Sequence, residues 1–336
     1  MQFQNQEEYR QFCYKKELRK TANGLGIMLL VIFALEIALA AIIPEILKAA
    51  GVSSILGTSS DFTLLENGLL SSLLFFTVAY VYVLIKRRRF SVLFPFEKIG
   101  AKRLTMLVVI GSAVSLMSNI APDLLTEVFG LFGVTNSGGS ITFVNSAPSV
   151  LMYFLVVAVM PAFTEEFAFR GVIMGSLRKY SDSLALVVSA ALFALTHGNF
   201  VQIPFTFCCG LMFGFLVLKT NSLLPSIIVH FINNGLSVAF DLLYQYEVLS
   251  TGMVNLLYGA IFVILGLLAL VFIRKIAAED EDFFTLPRAD DVMPYRSKLK
   301  AVASSPTLIS YSVIMLLFAV YVILQPYLIQ WGVIKY

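Results

Sequence analysis

The sequence predicts an all-α protein, a polytopic transmembrane helix bundle of eight or nine spans. Three observations carry that expectation. The 336 residues are 58% hydrophobic, with a mean hydropathy of +0.85. Only 13% are charged, about half the roughly 25% of an ordinary soluble domain and too few to cover a soluble fold of this length. The apolar residues gather into nine runs, most of them near the roughly 20 residues that a helix needs to cross about 30 Å of hydrocarbon. These runs do not alternate in polarity as the strands of a membrane barrel do, so helices must satisfy the backbone. The same numbers exclude other classes. Cys13, Cys208 and Cys209 are too few for a disulfide framework; the last two lie among apolar neighbours and read as packing residues. A net charge of +3 gives no support for a nucleic-acid partner. Membrane lipids are the expected surroundings.

The chain divides in order. Residues 1–24 form a polar N-terminal segment with Lys15, Lys16, Arg19 and Lys20 directly before the first run, which is not the pattern of a signal peptide. Residues 25–149 hold three spans, Leu25–Ile43, Leu69–Ile85 and Leu104–Ile120. Residues 150–245 hold four: Val150–Phe169, Leu184–Thr196, Ile203–Leu218 and Leu224–Leu243. Residues 246–336 add Met253–Ile273 and Leu308–Leu324, joined by a polar linker over 276–306 whose Glu279-Asp280-Glu281-Asp282 run reads as a solvated loop. Basic residues concentrate on the cytoplasmic side of membrane proteins. With a cytoplasmic N-terminus, 22 of the 24 Lys and Arg residues fall inside and only Lys48 and Lys335 outside. The outer loop 121–148 then carries Asp123 and Glu127 and no basic residue. A multi-pass cell-membrane protein with its N-terminus in the cytoplasm follows. The halves share no pair of broken apolar segments, so a transporter built on repeats is not indicated.

Ionisable residues inside a membrane are expensive and mark function. Here they cluster in three core spans: Glu165, Glu166 and Arg170 in the fourth, Phe193 with His197 at the end of the fifth, and His230, Asn233 and Asn234 in the seventh. Both histidines of the chain lie in this set. On a helix, Glu166 and Arg170 (i, i+4) share a face and can pair, while Glu165 points about 100° away from Glu166. His230 and Asn234 share a face by the same spacing, and Phe193 lies one turn from His197. Glu165 and His197 stand equally far from the turn near Ser181, about 24 Å at 1.5 Å per residue. His230 is only about 14 Å from its own turn near Asn221, a mismatch that closes if 170–182 projects from the bundle or lies along the interface. Glu36, in the middle of the first span, reads as a structural partner or a protonated acid.

A carboxylate and two imidazoles suit proton transfer to and from a water. Glu165 can hold a water with His197 and act as general base; His230, with the Asn234 amide, can stabilise the oxyanion on an attacked carbonyl. Amide hydrolysis by activated water is the chemistry this allows. Glu165, His197 and His230 are equally a two-histidine, one-carboxylate set for zinc, although no H-E-x-x-H helix is present. Asn233 and Asn234 also read as hydrogen-bonding glue between helices.

Glu165-Glu166-x-x-x-Arg170, Phe193-x-x-x-His197 and His230-x-x-x-Asn234, in this order on core helices, resemble the three motifs of the CPBP intramembrane proteases. That family joins type II CAAX prenyl endopeptidases to bacteriocin-processing and bacteriocin-immunity proteins, and the Phe193–Asn199 run resembles its bacterial members. The resemblance spans roughly 150–245. It implies a core of eight helices and a cavity open to the cytoplasm. It implies Glu165 as the water-activating carboxylate assisted by His197, with His230 and Asn234 polarising the scissile carbonyl and Glu166 and Arg170 shaping the site. It implies an intramembrane endopeptidase of glutamate type, with a metalloprotease as the other reading, acting on a peptide or a membrane-anchored protein. The alternative is a non-catalytic immunity factor or scaffold with the same fold.

Overall fold

A computed structural model describes residues 5–49, 68–131, 134, 146–286, 292–331 and 333. Part of the loop 121–148 (132–133 and 135–145), together with Arg288 and Lys335 of the charge count, lies outside the described residues. Every predicted span is a helix: α1 (Gln6–Ala49), α2 (Leu70–Ile85), α3 (Ala101–Ser118) followed by α4 (Ile120–Leu131), α5 (Ala147–Arg178), α6 (Asp182–Thr196), α7 (Gln202–Thr220), α8 (Leu224–Gln245), α9 (Thr251–Glu279), α10 (Tyr295–Ala303) and α11 (Pro306–Gln330). No strand occurs among the described residues; a lone bridge joins Phe96 to Ser222. Seven helices or continuous helical rods are long and apolar enough to cross a membrane; α2 and α6 are apolar but shorter.

Local chemistry sets the helix starts. Ser146, Ser181, Ser250 and Ser305 each accept the backbone N–H three residues on, capping α5, α6, α9 and α11. Pro225 and Pro306 sit in the first turn of α8 and α11, where a missing N–H costs nothing. The outward faces are apolar: on α9, Leu256, Leu267 and Val271 are 74, 60 and 58% exposed, which fits lipid and not water as the surrounding solvent.

Two inner layers position the site. One packs α5, α6 and α11 against α1 and α2 through Phe75, Phe169, Leu192 and Met315. The other packs α3, α7 and α9 through Leu107, Ile110, Phe213 and Ala269. The 276–306 stretch is more than a polar linker, because α10 forms within it. Lys298, Ala301 and Val302 share its inner face. Lys298 is fully buried and donates from Nζ to the Tyr180 carbonyl at 2.9 Å, with its stem covered as long cationic side chains allow. The acidic run carries exposed pairs, Lys102 with Glu279 and Arg103 with Asp280, both at 3.7 Å.

Candidate active site

The site is built on α5, whose backbone departs from α geometry twice. Residues Leu155–Val159 and Glu166–Met174 are π-helical, flanking the α-helical turn Met160–Glu165. Such widened turns cluster at functional sites. Pro161 lies between them and has no N–H to offer the Val157 carbonyl four residues back. The Asn234 side chain donates to that carbonyl from α8 at 2.9 Å.

Glu165 and Glu166 diverge as their spacing requires. Glu166 is fully buried, and its Oε1 takes Arg170 Nη1 at 2.9 Å and His230 Nδ1 at 3.0 Å. The Arg170 guanidinium also donates to the Gly210 carbonyl at 3.3 Å and lies over the rings of Phe193 (4.3 Å) and Phe213 (5.1 Å). A charged pair so deep needs each of these partners. Glu165 keeps a side chain 24% exposed, with its Oε2 3.7 Å from His230 Nε2. His230 is therefore oriented at one nitrogen by Glu166 and faces Glu165 with the other. Phe213 stacks on its ring at 5.0 Å and Phe193 meets it edge-on at 6.0 Å.

His197 closes the end of α6. Its Nδ1 bonds the Phe193 carbonyl at 2.9 Å, which makes Nδ1 the donor and leaves the Nε2 lone pair as the acceptor of the neutral ring. Gly198 follows with φ +57°, a left-handed turn that glycine adopts freely and that ends the helix directly behind the imidazole.

Glu165, Glu166, Arg170, Phe193, His197 and His230 thus lie in one neighbourhood. Asn234 is one turn from His230, but one amide hydrogen is held by Val157 and its Oδ1 accepts from Asn233 at 3.1 Å. Its visible role is the glue between helices. The expected height mismatch resolves differently from the projection of 170–182, because Ala168 to Met174 are buried. Arg178 Nη1 donates to Asn221 Oδ1 at 3.2 Å, so the two turns are level. Twelve residues separate Glu166 from Arg178 and nine separate Asn221 from His230; the π-helical stretch fits more residues into each turn and brings both counts to one height. Of the cysteines, Cys209 is buried as a packing residue while Cys208 is exposed. For zinc, no three His, Cys, Asp or Glu side chains converge as a ligand group among the described residues. Glu165, His197 and His230 as placed do not form a metal shell.

Residues 147–236 match the model of the type II CAAX prenyl endopeptidase Rce1-like family. That window contains α5, α6, α7 and the first half of α8, and with them every motif residue above. Over this window the chain is similar to the type II CAAX prenyl endopeptidase-like proteins, and the similarity falls on the motif residues. A curated relative, the membrane-embedded CAAX protease MroQ of Staphylococcus aureus (strain USA300), is 32% identical over 126 residues. The match takes in 35% of this chain and 50% of that protein, so the chain spans about half the length of the curated relative it matches. No solved structure matches the chain.

Some parts of this candidate site carry no mark in the sequence. Phe213, which contacts both His230 and Arg170, sits in an apolar run like any packing residue. The Gly210 carbonyl and the Val157 carbonyl are backbone groups, visible only once helices are placed. Pro161 is the one signal that a polar partner was needed nearby.

Proposed function

We propose that the chain is an intramembrane endopeptidase of glutamate type, hydrolysing a peptide bond with water activated by Glu165 and His197. The observation that carries this reading is the division of labour between adjacent carboxylates. Arg170 and His230 bind Glu166, while Glu165 stays partly exposed beside the second nitrogen of His230. Glu165 removes a proton from water as the oxygen attacks the scissile carbonyl, with the His197 Nε2 lone pair accepting the water's other hydrogen. His230, carrying a proton on each nitrogen with Nδ1–H held by Glu166, donates from Nε2 to the oxyanion. The second amide hydrogen of Asn234 is available to join it. Collapse of the tetrahedral intermediate breaks the C–N bond, and the proton on Glu165 passes to the leaving amine. The products are a carboxylate and an amine.

The basic-residue pattern supports an N-terminus in the cytoplasm. With that orientation the turn at Lys179–Ser181 faces the cytoplasm, and the cavity receives its substrate from that side or from the lipid. The substrate is a peptide or the tail of a membrane-anchored protein. CAAX specificity is a property of the relative's name, carried here as the first substrate class to try.

Glu165→Ala, His197→Ala and His230→Ala are expected to abolish cleavage in proteins that elute and melt as folded. A general base contributes about 10²–10⁴-fold. Unchanged activity in these variants contradicts the reading and favours the immunity-factor or scaffold alternative, in which a cellular phenotype survives all three. Metal analysis of the purified protein reads the catalytic type: stoichiometric zinc whose removal stops cleavage would make Glu165, His197 and His230 ligands.

A further inference from the structure

Glu36, the one acidic residue in the middle of α1, is not used by this mechanism. It lies on the wall of a cavity of ≈ 530 Å³ formed where α1, α2, the end of α6 and α11 meet. The other walls are largely apolar, with Phe33, Ile37, Leu70, Met315 and Phe318 among them. The polar groups are few. Ser71 donates to Glu36 Oε1 at 2.6 Å. Thr196 also lines the cavity, with its hydroxyl engaged by the Leu192 carbonyl and the Tyr311 hydroxyl. Among the described residues no Lys, Arg or His forms an ion pair with Glu36.

This cavity adjoins the active site. Thr196, in its wall, directly precedes His197, and Phe318 and Met315 pack against Gly198 behind that histidine. A carboxylate kept in a membrane without a cationic partner is costly. The cavity's volume is that of a small ligand site, and a long cationic side chain suits its apolar walls and single carboxylate. Methylene stems of Lys and Arg lie along apolar walls while their heads reach a polar partner.

We propose that this cavity is a subsite for a lysine or arginine side chain of the substrate close to the scissile bond, with Glu36 as the recognising anion. The proposal rests on the proteolytic reading above and adds a specificity determinant to it.

The test uses the full chain in lipid nanodiscs and a randomised peptide library, with cleavage products read by mass spectrometry. Wild type is expected to favour Lys or Arg over norleucine at one position near the cut by about tenfold. The ratio should fall to about one in Glu36→Gln and turn toward Asp or Glu in Glu36→Lys. A ratio unchanged by Glu36→Gln, or no basic preference in wild type, overturns the subsite and leaves the protease standing. Binding separates the two claims. The Glu165→Gln protein is titrated with a 20-residue polyleucine peptide carrying one central lysine and with its norleucine counterpart. The lysine peptide should bind about tenfold more tightly, an advantage lost in the Glu165→Gln, Glu36→Gln double variant. Equal binding overturns the subsite whether or not any peptide is cut. Lysine-selective binding by a chain that cuts nothing supports the subsite and overturns the protease.

Discussion

Glu166 gives one oxygen to both Arg170 and His230, and all three side chains are buried. Removing one member leaves an uncompensated charge in the core, which costs about 3–5 kcal/mol in comparable buried pairs. Glu166→Gln and Arg170→Met are each expected to lower the free energy of unfolding in detergent by an amount of that order. The double replacement should cost less than the two singles added, because neither charge is stranded; strict additivity would contradict a coupled pair. The Glu166–Arg170 pairing and the separate direction of Glu165 were legible in the sequence, because i, i+4 spacing places side chains whatever the fold around them. The contact of Glu166 with His230 was not, since it joins residues 64 positions apart whose meeting depends on how α5 and α8 pack.

At the scale of elements, the nine apolar runs predicted nine helices, because apolar length is the strongest signal a membrane segment gives. Their backbone irregularities were hidden. Nothing in Glu166–Met174 announces a π-helix, yet that stretch brings the level of Glu166 to that of His230. Helix α10 was also missed: its nine residues are polar enough to read as linker, and only the docking of Lys298 on Tyr180 shows otherwise. Gly198 tests the junction behind His197. At φ +57° a Cβ would meet Phe318 Cδ1 at 2.6 Å. Gly198→Ala is therefore expected to cost at least about 1–2 kcal/mol from the left-handed backbone alone. Cleavage should fall with stability, because the end of α6 and α11 must move apart. A variant that melts and cuts like wild type would show that the turn is not held as described. Asn234→Ala should lower stability by about 1 kcal/mol through the lost bond to Val157. Pro161→Ala in the same protein, by restoring the backbone donor, should recover part of it in a thermal melt.

For the whole molecule, the proposed orientation rests on the distribution of charge alone. A cysteine placed at position 300 in an otherwise cysteine-free chain is expected to resist a membrane-impermeant thiol reagent applied to intact cells, while one at position 250, between α8 and α9, should react. The reverse pattern would invert the topology and put the turn at Lys179–Ser181 on the outer face. The bundle, its core helices and the motif residues were all visible as apolar length and misplaced charge; the lateral cavity beside Glu36 was not, because it arises only where four helices meet. The proposed chemistry turns on Glu165 activating the water. It is tested most directly by the single-turnover rate at which Glu165→Gln protein cuts a peptide that wild type cuts, in samples matched for melting temperature and metal content. If Glu165 is the general base, the rate falls by at least about 10²-fold. A rate within twofold of wild type would contradict that role.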